Sequence, residues 1–316
     1  MNTIQEKRQI TDTILMVRPV GFRMNEQTAV NNFFQEDLQA GNVEINLRAQ
    51  GEFDQFVALL EDHGVKVICV EDSLGTDTPD SIFPNNWVSF HGDGTVCLYP
   101  MFAKNRRRER REDILERIEK EGFVIEHIMD YTAAEAEGVF LEGTGSILMD
   151  RLNQKAYCAL SQRADEDLFI EFCEDFDCFP VLFTANQTVD GKRLPIYHTN
   201  VMMALGERFA VIAPDTVDDK KERKNLLEHL KMDGREIIEI SEGQMYQFAG
   251  NMLQLLGAGG QPYMVMSSAA YHSLDPGQIK AIEKHCPILH SPLDTIETCG
   301  GGSARCMMAE VFLPRA

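Results

Sequence analysis

Short, mainly apolar runs alternate with amphipathic stretches along the whole chain. Runs of four to seven residues, at 14–20, 65–70 and 96–99, predict buried strands, because they are short and bounded by polar or glycine turns. The stretches 53–63 and 108–121 space their apolar residues three or four apart and end before a glycine. This spacing is typical of amphipathic helices. The pattern therefore predicts an α/β protein.

The same order of elements recurs: two strands joined by a turn, then a helix, then another strand. The predicted hairpins cover 87–99, 146–160, 201–212 and 252–266. The helices that follow them are predicted, in the same order, at 108–121, 165–176, 217–232 and 276–284. The strands after these helices are predicted at 123–128, 181–184, 237–240 and 288–289. A last strand, 307–312, lacks a following helix, whereas the N-terminal strand and helix lack a hairpin. We therefore expect these ends to complete each other, closing a ring without free strand edges.

One polar or reactive residue stands just before each repeat. These residues are Asn86, Glu142, His198, Asn251 and Cys306, at intervals of 56, 56, 53 and 55 residues. In a closed ring, equivalent positions face one axis. The pattern predicts that the five side chains meet, and the alternative is that they are unrelated loop ends.

Composition and charge narrow the classes of function. The 316 residues are 44% hydrophobic, enough for a large core, and no run approaches the roughly 20 apolar residues of a membrane span. A net charge of −20 makes nucleic acid a poor partner. Because residues 1–12 contain no apolar signal region, we expect a cytoplasmic protein without membrane contact.

The cysteines and glycines predict neither a metal nor a cofactor. The eight cysteines form no C-x-x-C pair, and the sequence has no phosphate-binding glycine loop. We therefore expect no disulfide framework, no metal and no organic cofactor. The basic cluster 104–111 is interleaved with acidic residues and is interpreted as the solvated start of a helix, a phosphate site being the alternative.

Several motifs resemble the pentein hydrolases and amidinotransferases, which include arginine deiminase, dimethylarginine hydrolase, agmatine deiminase and glycine amidinotransferase. The motifs are GGGSARC (300–306), LEGTGS (141–146), YHTN (197–200), SQRAD (161–165) and FPNNW (83–87). The resemblance implies one pentein domain over residues 1–316, a five-fold pseudosymmetric α/β propeller of ββαβ modules around a central active site. The run 17–34 further resembles the citrulline-utilisation hydrolase branch.

The resemblance also implies roles for individual residues: Cys306 as nucleophile, His198 as general acid and base, and Glu142 as the catalytic carboxylate. Residues implied in substrate binding are Asn86, Asn200, Arg163 and Phe83, with Arg163 on the α-carboxylate. Cys299 is a rival nucleophile, and Arg18 and Arg23 are further candidates for the carboxylate. For Asn251 we expect a structural role only.

Departures from the family pattern bear on the substrate. Where arginine deiminases hold the guanidinium with two aspartates, this chain has Asn86 and Asn200, and the last position of the family's EGGD motif is Gly145. A guanidinium only donates hydrogen bonds, whereas a neutral ureido group also accepts them, and an asparagine amide satisfies both needs. We therefore expect citrulline to be hydrolysed to ornithine, ammonia and carbon dioxide through a Cys306 thioester.

Several alternatives stay open. Arginine deiminase or dimethylarginine hydrolase activity fits the catalytic set, an amidinotransferase shares the nucleophile, and a non-catalytic pentein would bind without reaction. The expected partner is a small amino-acid substrate, and whether the chain forms a homo-oligomer is undecided. The polar segments 71–81 and 184–195 are either lids or plain loops.

Overall fold

The computed structural model describes residues 8–73 and 75–316. The strands are β1 (Thr13–Arg18), β2 (Lys66–Glu71), β3 (Val88–Phe90), β4 (Thr95–Leu98), β5 (His127–Asp130), β6 (Ile147–Asp150), β7 (Lys155–Ala159), β8 (Phe179–Phe183), β9 (Asn186–Val189), β10 (Lys192–Pro195), β11 (Met203–Leu205), β12 (Phe209–Ile212), β13 (Glu236–Glu239), β14 (Leu253–Leu256), β15 (Pro262–Ser267), β16 (Ile288–Ser291) and β17 (Ala309–Glu310). The α-helices are α1 (Asn42–Asp62), α2 (Glu112–Lys120), α3 (Gly143–Ser146), α4 (Glu166–Asp175), α5 (Thr199–Met202), α6 (Lys220–Met232), α7 (Glu242–Met245), α8 (Ser268–Ser273), α9 (Pro276–Glu283) and α10 (Asp294–Gly300).

Three-stranded sheets of one arrangement recur along the chain. In each, an antiparallel hairpin is followed by a strand that pairs in parallel with the second hairpin strand, in the orders β3-β4-β5, β6-β7-β8, β11-β12-β13 and β14-β15-β16. The sheet β17-β1-β2 has the same arrangement, although its first strand comes from the C-terminal part of the chain. The predicted α/β class is confirmed, and the N-terminal and C-terminal elements share one sheet, as the repeat pattern predicts.

The helices bury one face against these sheets. In α1 the buried positions are Ile45, Ala49, Phe53, Phe56 and Leu60, three or four residues apart and hence on one side. Burying each of the larger side chains contributes about 1.5–3 kcal/mol. The N-terminus of α6 is capped by Asp219, whose carboxylate accepts from two backbone N–H groups of the first turn.

Several predicted boundaries were wrong; for example, the last strand, predicted at 307–312, covers only Ala309–Glu310. Packing explains two others. Helix α1 begins at Asn42 rather than at residue 53, because Ile45 and Ala49 continue the buried stripe towards the N-terminus. Strand β5 covers His127–Asp130 rather than 123–128. Phe123, which suggested the earlier start, is buried in the apolar core before the strand begins.

One region predicted as a lid or a plain loop contains secondary structure. Residues 184–195 form the hairpin β9-β10, whose turn places Asp190 and Gly191 at positive φ of 49° and 74°. An Asp-Gly pair between short strands is the sequence signal for such a turn. Helix α10, in a stretch for which the sequence predicted no element, leads into the glycine run at 300–302. Among the residues described, no helix combines the length and apolar character of a membrane span, and the expected cytoplasmic location stays a prediction.

Candidate active site

The five residues that precede the repeats lie at matching places in the fold. Each lies in, or next to, a short turn that leads into the first strand of its sheet: Asn86 before β3, Glu142 before β6, His198 before β11, Asn251 before β14 and Cys306 before β17. Their exposed fractions lie between 0% and 3%. Buried polar groups require partners, so the contacts of these side chains define the site.

His198 and Glu142 form a buried pair. His198 Nε2 lies 2.8 Å from Glu142 Oε2, and Glu142 Oε1 accepts from the backbone N–H of Phe102 at 3.0 Å. The guanidinium of Arg163 lies 3.5 Å from Glu142 Oε2, and that of Arg106 lies 4.0 Å from it. The carboxylate is therefore held by one imidazole, one amide and two cations.

These neighbours set the protonation states of the pair. Burial raises the pKa of Glu142, but Arg163, the His198 hydrogen bond and Arg106 together lower it to about 2. Burial, opposed by Glu142, lowers the pKa of His198 to about 4. Because an ionised carboxylate only accepts, Nε2 of the neutral imidazole carries the proton, and Nδ1 is left as the basic nitrogen.

Cys306 lies against two side-chain amides. Its Sγ is 3.2 Å from Asn251 Nδ2 and 3.6 Å from Asn200 Nδ2. Asn251 is oriented by the backbone, because its Oδ1 accepts from the N–H groups of Arg305 at 3.1 Å and Cys306 at 3.4 Å. For Asn251 the sequence indicated only a structural role, yet its amide contacts the sulfur.

Burial keeps the resting sulfur protonated. It raises the pKa of the Cys306 thiol, while hydrogen bonds from the Ser303 backbone and from Asn251 oppose that rise. Among the described residues, no hydrogen bond joins Cys306 to His198. Two N–H donors are thus in place for a thiolate that forms only when the proton leaves.

The Asn86 amide has a defined orientation. Its Oδ1 accepts from Arg106 Nη1 at 2.8 Å, and an arginine can only donate, so the oxygen must face Arg106. The Asn86 Nδ2 is buried and has no hydrogen-bond partner in the part of the chain that the structure describes. A Cβ at Gly145 would lie 2.4 Å from this Nδ2 and 2.8 Å from His198 Nδ1. Only glycine fits there.

Phe83 and the glycine run form one wall of the pocket. A Cβ at Gly300 would lie 2.8 Å from Phe83 Cζ, and one at Gly302 would lie 3.1 Å from it. Gly301 has a φ of +61°, a conformation that favours glycine. The glycines therefore let the backbone before Cys306 approach the Phe83 ring.

Arg163 lines the same pocket, but protein groups hold its guanidinium. Nε donates to Asn31 Oδ1 at 3.0 Å, and Nη2 donates to the Thr28 carbonyl at 3.0 Å. Its guanidinium also lies 4.9 Å from the centre of the Tyr197 ring. The predicted role on a substrate carboxylate stays a prediction, since the donors are engaged in this structure.

A segment of residues 25–35, here called the cover, lies over the pocket. Asn32 Nδ2 donates to the carbonyls of Gly300 and Gly301, both at 3.3 Å, and Gln35 Nε2 donates to Gly300 at 3.2 Å. The remaining void is about 10 Å³, the size of one water. This cover is a segment that the sequence had not singled out as a lid.

Two further charged residues of the pocket were missed. Arg106 is 2% exposed and its Nε and Nη2 both bond to Glu109 at 2.9 Å, so the interpretation of residues 104–111 as a solvated helix start was wrong. In sequence, a buried Arg–Glu pair three residues apart looks the same as an exposed one. Asp80 is 2% exposed, and its Oδ1 has no partner among the residues described.

The rival residues lie elsewhere or are engaged. Cys299 is buried in α10, and burial raises the pKa of its thiol. Arg18 is paired with Asp54 at 2.7 Å, and Arg23 with Asp77 at 2.9 Å. Across residues 8–73 and 75–316, no three His, Cys, Asp or Glu side chains are grouped as a metal site.

Comparisons with known proteins agree with this architecture. The chain matches the family model described as N,N dimethylarginine dimethylhydrolase, eukaryotic, over residues 18–313. No curated protein sequence matches it significantly. The apo structure of ArgZ, an arginine dihydrolase from the ornithine-ammonia cycle in cyanobacteria, is 18% identical with a TM-score of 0.72, covering 96% of this chain and 41% of ArgZ.

Two shorter solved chains are covered almost completely. The N-terminal domain of ArgZ with bound substrate is 18% identical with a TM-score of 0.69, covering 95% of this chain and 99% of that domain. A dimethylarginine dimethylaminohydrolase adduct with S-methyl-L-thiocitrulline is 15% identical with a TM-score of 0.64. The match covers 95% of this chain and 99% of that chain. Identities this low establish a shared fold only.

Family membership rests on the sequence match. That match runs from Arg18 to Leu313 and includes every residue that the motif comparison placed in the site. The structural neighbours have the same fold over nearly the whole chain. The chain therefore belongs to the N,N-dimethylarginine dimethylhydrolase family of the pentein superfamily, whose members modify arginine and related guanidino groups.

Proposed function

We propose that the protein is a cysteine-dependent hydrolase that cleaves a C–N bond of citrulline, yielding ornithine, ammonia and carbon dioxide. In this proposal residues 1–316 are one domain, and the five three-stranded sheets are the blades of a five-fold α/β propeller around the site. The observation that carries the substrate assignment is the buried Nδ2 of Asn86, which has no hydrogen-bond partner within residues 8–73 and 75–316.

This nitrogen donates, so it requires an acceptor from the ligand. A ureido group brings a carbonyl oxygen, whereas a guanidinium brings only donors. Leaving a buried donor without a partner costs about 1–3 kcal/mol. This cost corresponds to a roughly 5- to 150-fold preference for a ligand that supplies an acceptor over one that does not. The geometry of Asn86 therefore supports citrulline over arginine.

The remaining pocket groups suit the amino-acid end of the substrate. Asp80 Oδ1, which no other described residue contacts by a hydrogen bond, is an acceptor for an α-ammonium group. Arg163 is the candidate that binds the α-carboxylate, once its hydrogen bonds to Asn31 and Thr28 are replaced by bonds to that carboxylate. The two hydrogen-bond acceptors of the Arg163 guanidinium belong to the cover, whereas its ion-pair partner Glu142 does not. The void of about 10 Å³ is too small for an amino acid. Substrate entry therefore requires the cover to move, which also releases Arg163.

The first chemical step forms the thioester. Cys306 Sγ attacks the ureido carbon, and its proton passes to Nδ1 of His198. The carbonyl oxygen becomes an oxyanion, stabilised by the Asn86 Nδ2 donor. His198 then gives the proton to the δ-nitrogen, the C–Nδ bond breaks, and ornithine leaves. A carbamoyl group remains on Cys306.

The second step regenerates the enzyme. Water loses a proton to His198 and attacks the carbamoyl carbon, and the C–S bond breaks with return of the proton to sulfur. The carbamate released decomposes to ammonia and carbon dioxide. Glu142, with a pKa of about 2, stays ionised and stabilises the imidazolium that forms in each step. No step uses a metal or an organic cofactor.

A guanidino hydrolase acting on arginine or a methylated arginine is the second candidate. The matched family model favours it, and so do the two buried carboxylates near the pocket, Asp80 and Glu142. A guanidinium could pair with either carboxylate, but it would leave Asn86 Nδ2 without an acceptor. Amidinotransfer and non-catalytic binding remain alternatives without a specific observation in their favour.

The test is a product assay on separate substrates. Purified protein is incubated with citrulline, arginine and dimethylarginine, with Cys306→Ala as control, and ammonia and amino-acid products are identified by mass. Ornithine from citrulline, absent in the variant, is expected. Citrulline formed from arginine or dimethylarginine, without turnover of citrulline, would overturn the proposal in favour of the second candidate. Turnover only with an added amine acceptor would indicate an amidinotransferase.

A further inference from the structure

A second cavity, of about 700 Å³, lies apart from the catalytic pocket. Its lining includes His91 after β3, Arg151 after β6 and Phe312 after β17. The catalytic pocket is built from the residues before these same strands. The two sites therefore lie at opposite ends of β3, β6 and β17, and they share no lining residue among those described.

Arg151 is the unusual group in this cavity. Its guanidinium lies 3.9 Å from the centre of the Phe312 ring. Within residues 8–73 and 75–316, no carboxylate pairs with this guanidinium and no acceptor takes a hydrogen bond from it. Burial lowers the pKa of Arg151, and the more distant Glu310 opposes this only in part. A guanidinium stacked on an aromatic ring keeps its N–H edge free for an in-plane acceptor.

The charge of the lining limits the ligand. Arg8, Arg151 and Arg315 face Asp12 and Asp93, so the described lining carries one net positive charge in a chain of net charge −20. Arg315 is already paired with Asp12 at 2.8 Å. Burial lowers the pKa of His91 well below its ordinary value, so the imidazole adds no charge. A described lining with one net positive charge matches one carboxylate better than a doubly charged phosphate.

Much of the remaining lining is apolar, alongside the polar side chains of Thr11 and Gln154. Ile10, Met149, Phe176 and Leu313 contribute side chains to the walls. A volume of this size falls within the range of about 300–1,000 Å³ for small-molecule pockets. Apolar walls beside the Arg151 guanidinium, in a described lining with one net positive charge, suit an anion with an apolar body.

We propose that this cavity is a second ligand site, which binds a small monocarboxylate with an apolar body. The carboxylate accepts two N–H bonds from the edge of Arg151, and the apolar body lies against Met149 and Phe176. The site is separate from the proposed catalysis and does not depend on it.

The test uses 4-phenylbutyrate as the probe and 4-phenylbutanol as its uncharged counterpart. Binding to the full chain is measured by calorimetry, and the methionine methyl groups are observed by NMR. The acid is expected to bind at least tenfold more tightly than the alcohol. It should shift the Met149 methyl signal but not that of Met232, which is 78% exposed on α6.

Variants separate the site from general anion binding. Arg151→Gln is expected to weaken binding of the acid at least tenfold. Arg208→Gln removes an exposed arginine from the corresponding turn between β11 and β12. This variant should bind the acid with unchanged affinity. Cys306→Ala should bind the acid as the unmodified protein does, whether or not the protein hydrolyses citrulline.

Three results would overturn the proposal. Equal affinity for the acid and the alcohol would show an apolar void without anion recognition. Equal losses in the two arginine variants would show non-specific charge binding. Loss of binding in Cys306→Ala would place the probe in the catalytic pocket. Because the Met149 signal is read on the unmodified protein, the test stands even if Arg151→Gln fails to fold.

Discussion

At the scale of single residues, Arg106 decides which way the Asn86 amide faces. Because the guanidinium donates a hydrogen bond to the amide oxygen, the amide NH₂ group faces the ligand. Asn86→Asp would keep the bond to Arg106 but replace the donor by a second acceptor. We expect kcat/KM for citrulline to fall roughly 5- to 150-fold, corresponding to about 1–3 kcal/mol of lost pairing.

The control for this variant is Asn42→Asp, which makes the same change at the exposed start of α1. Steady-state kinetics of both variants on citrulline and arginine provide the measurement. An Asn86→Asp enzyme with unchanged kcat/KM for citrulline would show that the amide does not contact the reacting group.

The protonation state of His198 predicts the pH dependence of the reaction. His198 must be neutral to accept the thiol proton, and its pKa is lowered to about 4. We therefore expect kcat/KM to fall as the pH drops through about 4, rather than through the ordinary imidazole value of about 6.5. An unchanged circular dichroism spectrum at the acidic pH values excludes unfolding as the cause. An acid limb near 6.5 would contradict the described environment.

At the scale of elements, Glu297 connects α10 with the residue that follows the glycine run, Ser303. Its Oε1 accepts from Ser303 Oγ at 2.5 Å, and burial raises its pKa to about 7. The folded chain therefore binds a proton that the unfolded chain releases between pH 4.5 and about 7. Stability contributed by this proton is present below about pH 4.5 and is lost as the pH rises towards 7.

Glu297→Gln should remove this dependence. The unmodified protein is expected to lose up to about 3 kcal/mol from this group between pH 4.5 and 7, whereas the variant keeps a neutral side chain throughout. Urea unfolding at a series of pH values measures the difference, and Glu283→Gln, on the exposed side of α9, is the control. Identical slopes for Glu297→Gln and the unmodified protein would argue against a protonated Glu297.

At the scale of the whole molecule, buried ion pairs join neighbouring sheets. Arg235, before β13, pairs with Asp150 at the end of β6, and Asp233 accepts from Lys155 of β7 at 2.6 Å. The side chains of Arg235 and Asp150 are 1% and 0% exposed. Because both charges are buried, removing one leaves the other without compensation.

We expect Arg235→Met to lower the free energy of unfolding by about 3–5 kcal/mol. Lys224→Met, which breaks an exposed pair with Glu228 on α6, should cost less than about 1 kcal/mol. Chemical denaturation followed by circular dichroism compares the two. Adding Asp150→Leu to Arg235→Met should recover part of the loss. A cost below 1 kcal/mol for Arg235→Met alone would show that the pair does not hold the sheets together.

The sequence by itself determined the class of the fold, most of the strands and helices, and the residues that precede each repeat. These features can be predicted because burial is periodic within a single strand or helix, and the order of apolar and polar residues follows that period. It did not determine where α1 begins, and it did not indicate the helix before the glycine run. Both depend on which surface the neighbouring elements leave to be covered.

Only the tertiary structure decided the surroundings of the site. The direction of the Asn86 amide and the contact of Asn251 with the sulfur depend on residues distant in sequence. The burial of Arg106 and of Asp80 likewise depends on what packs around them. The same holds for the cavity around Arg151, whose walls come from both ends of the chain. Whether a charge is solvated or buried depends on what packs over it, and residue identity alone carries no record of that.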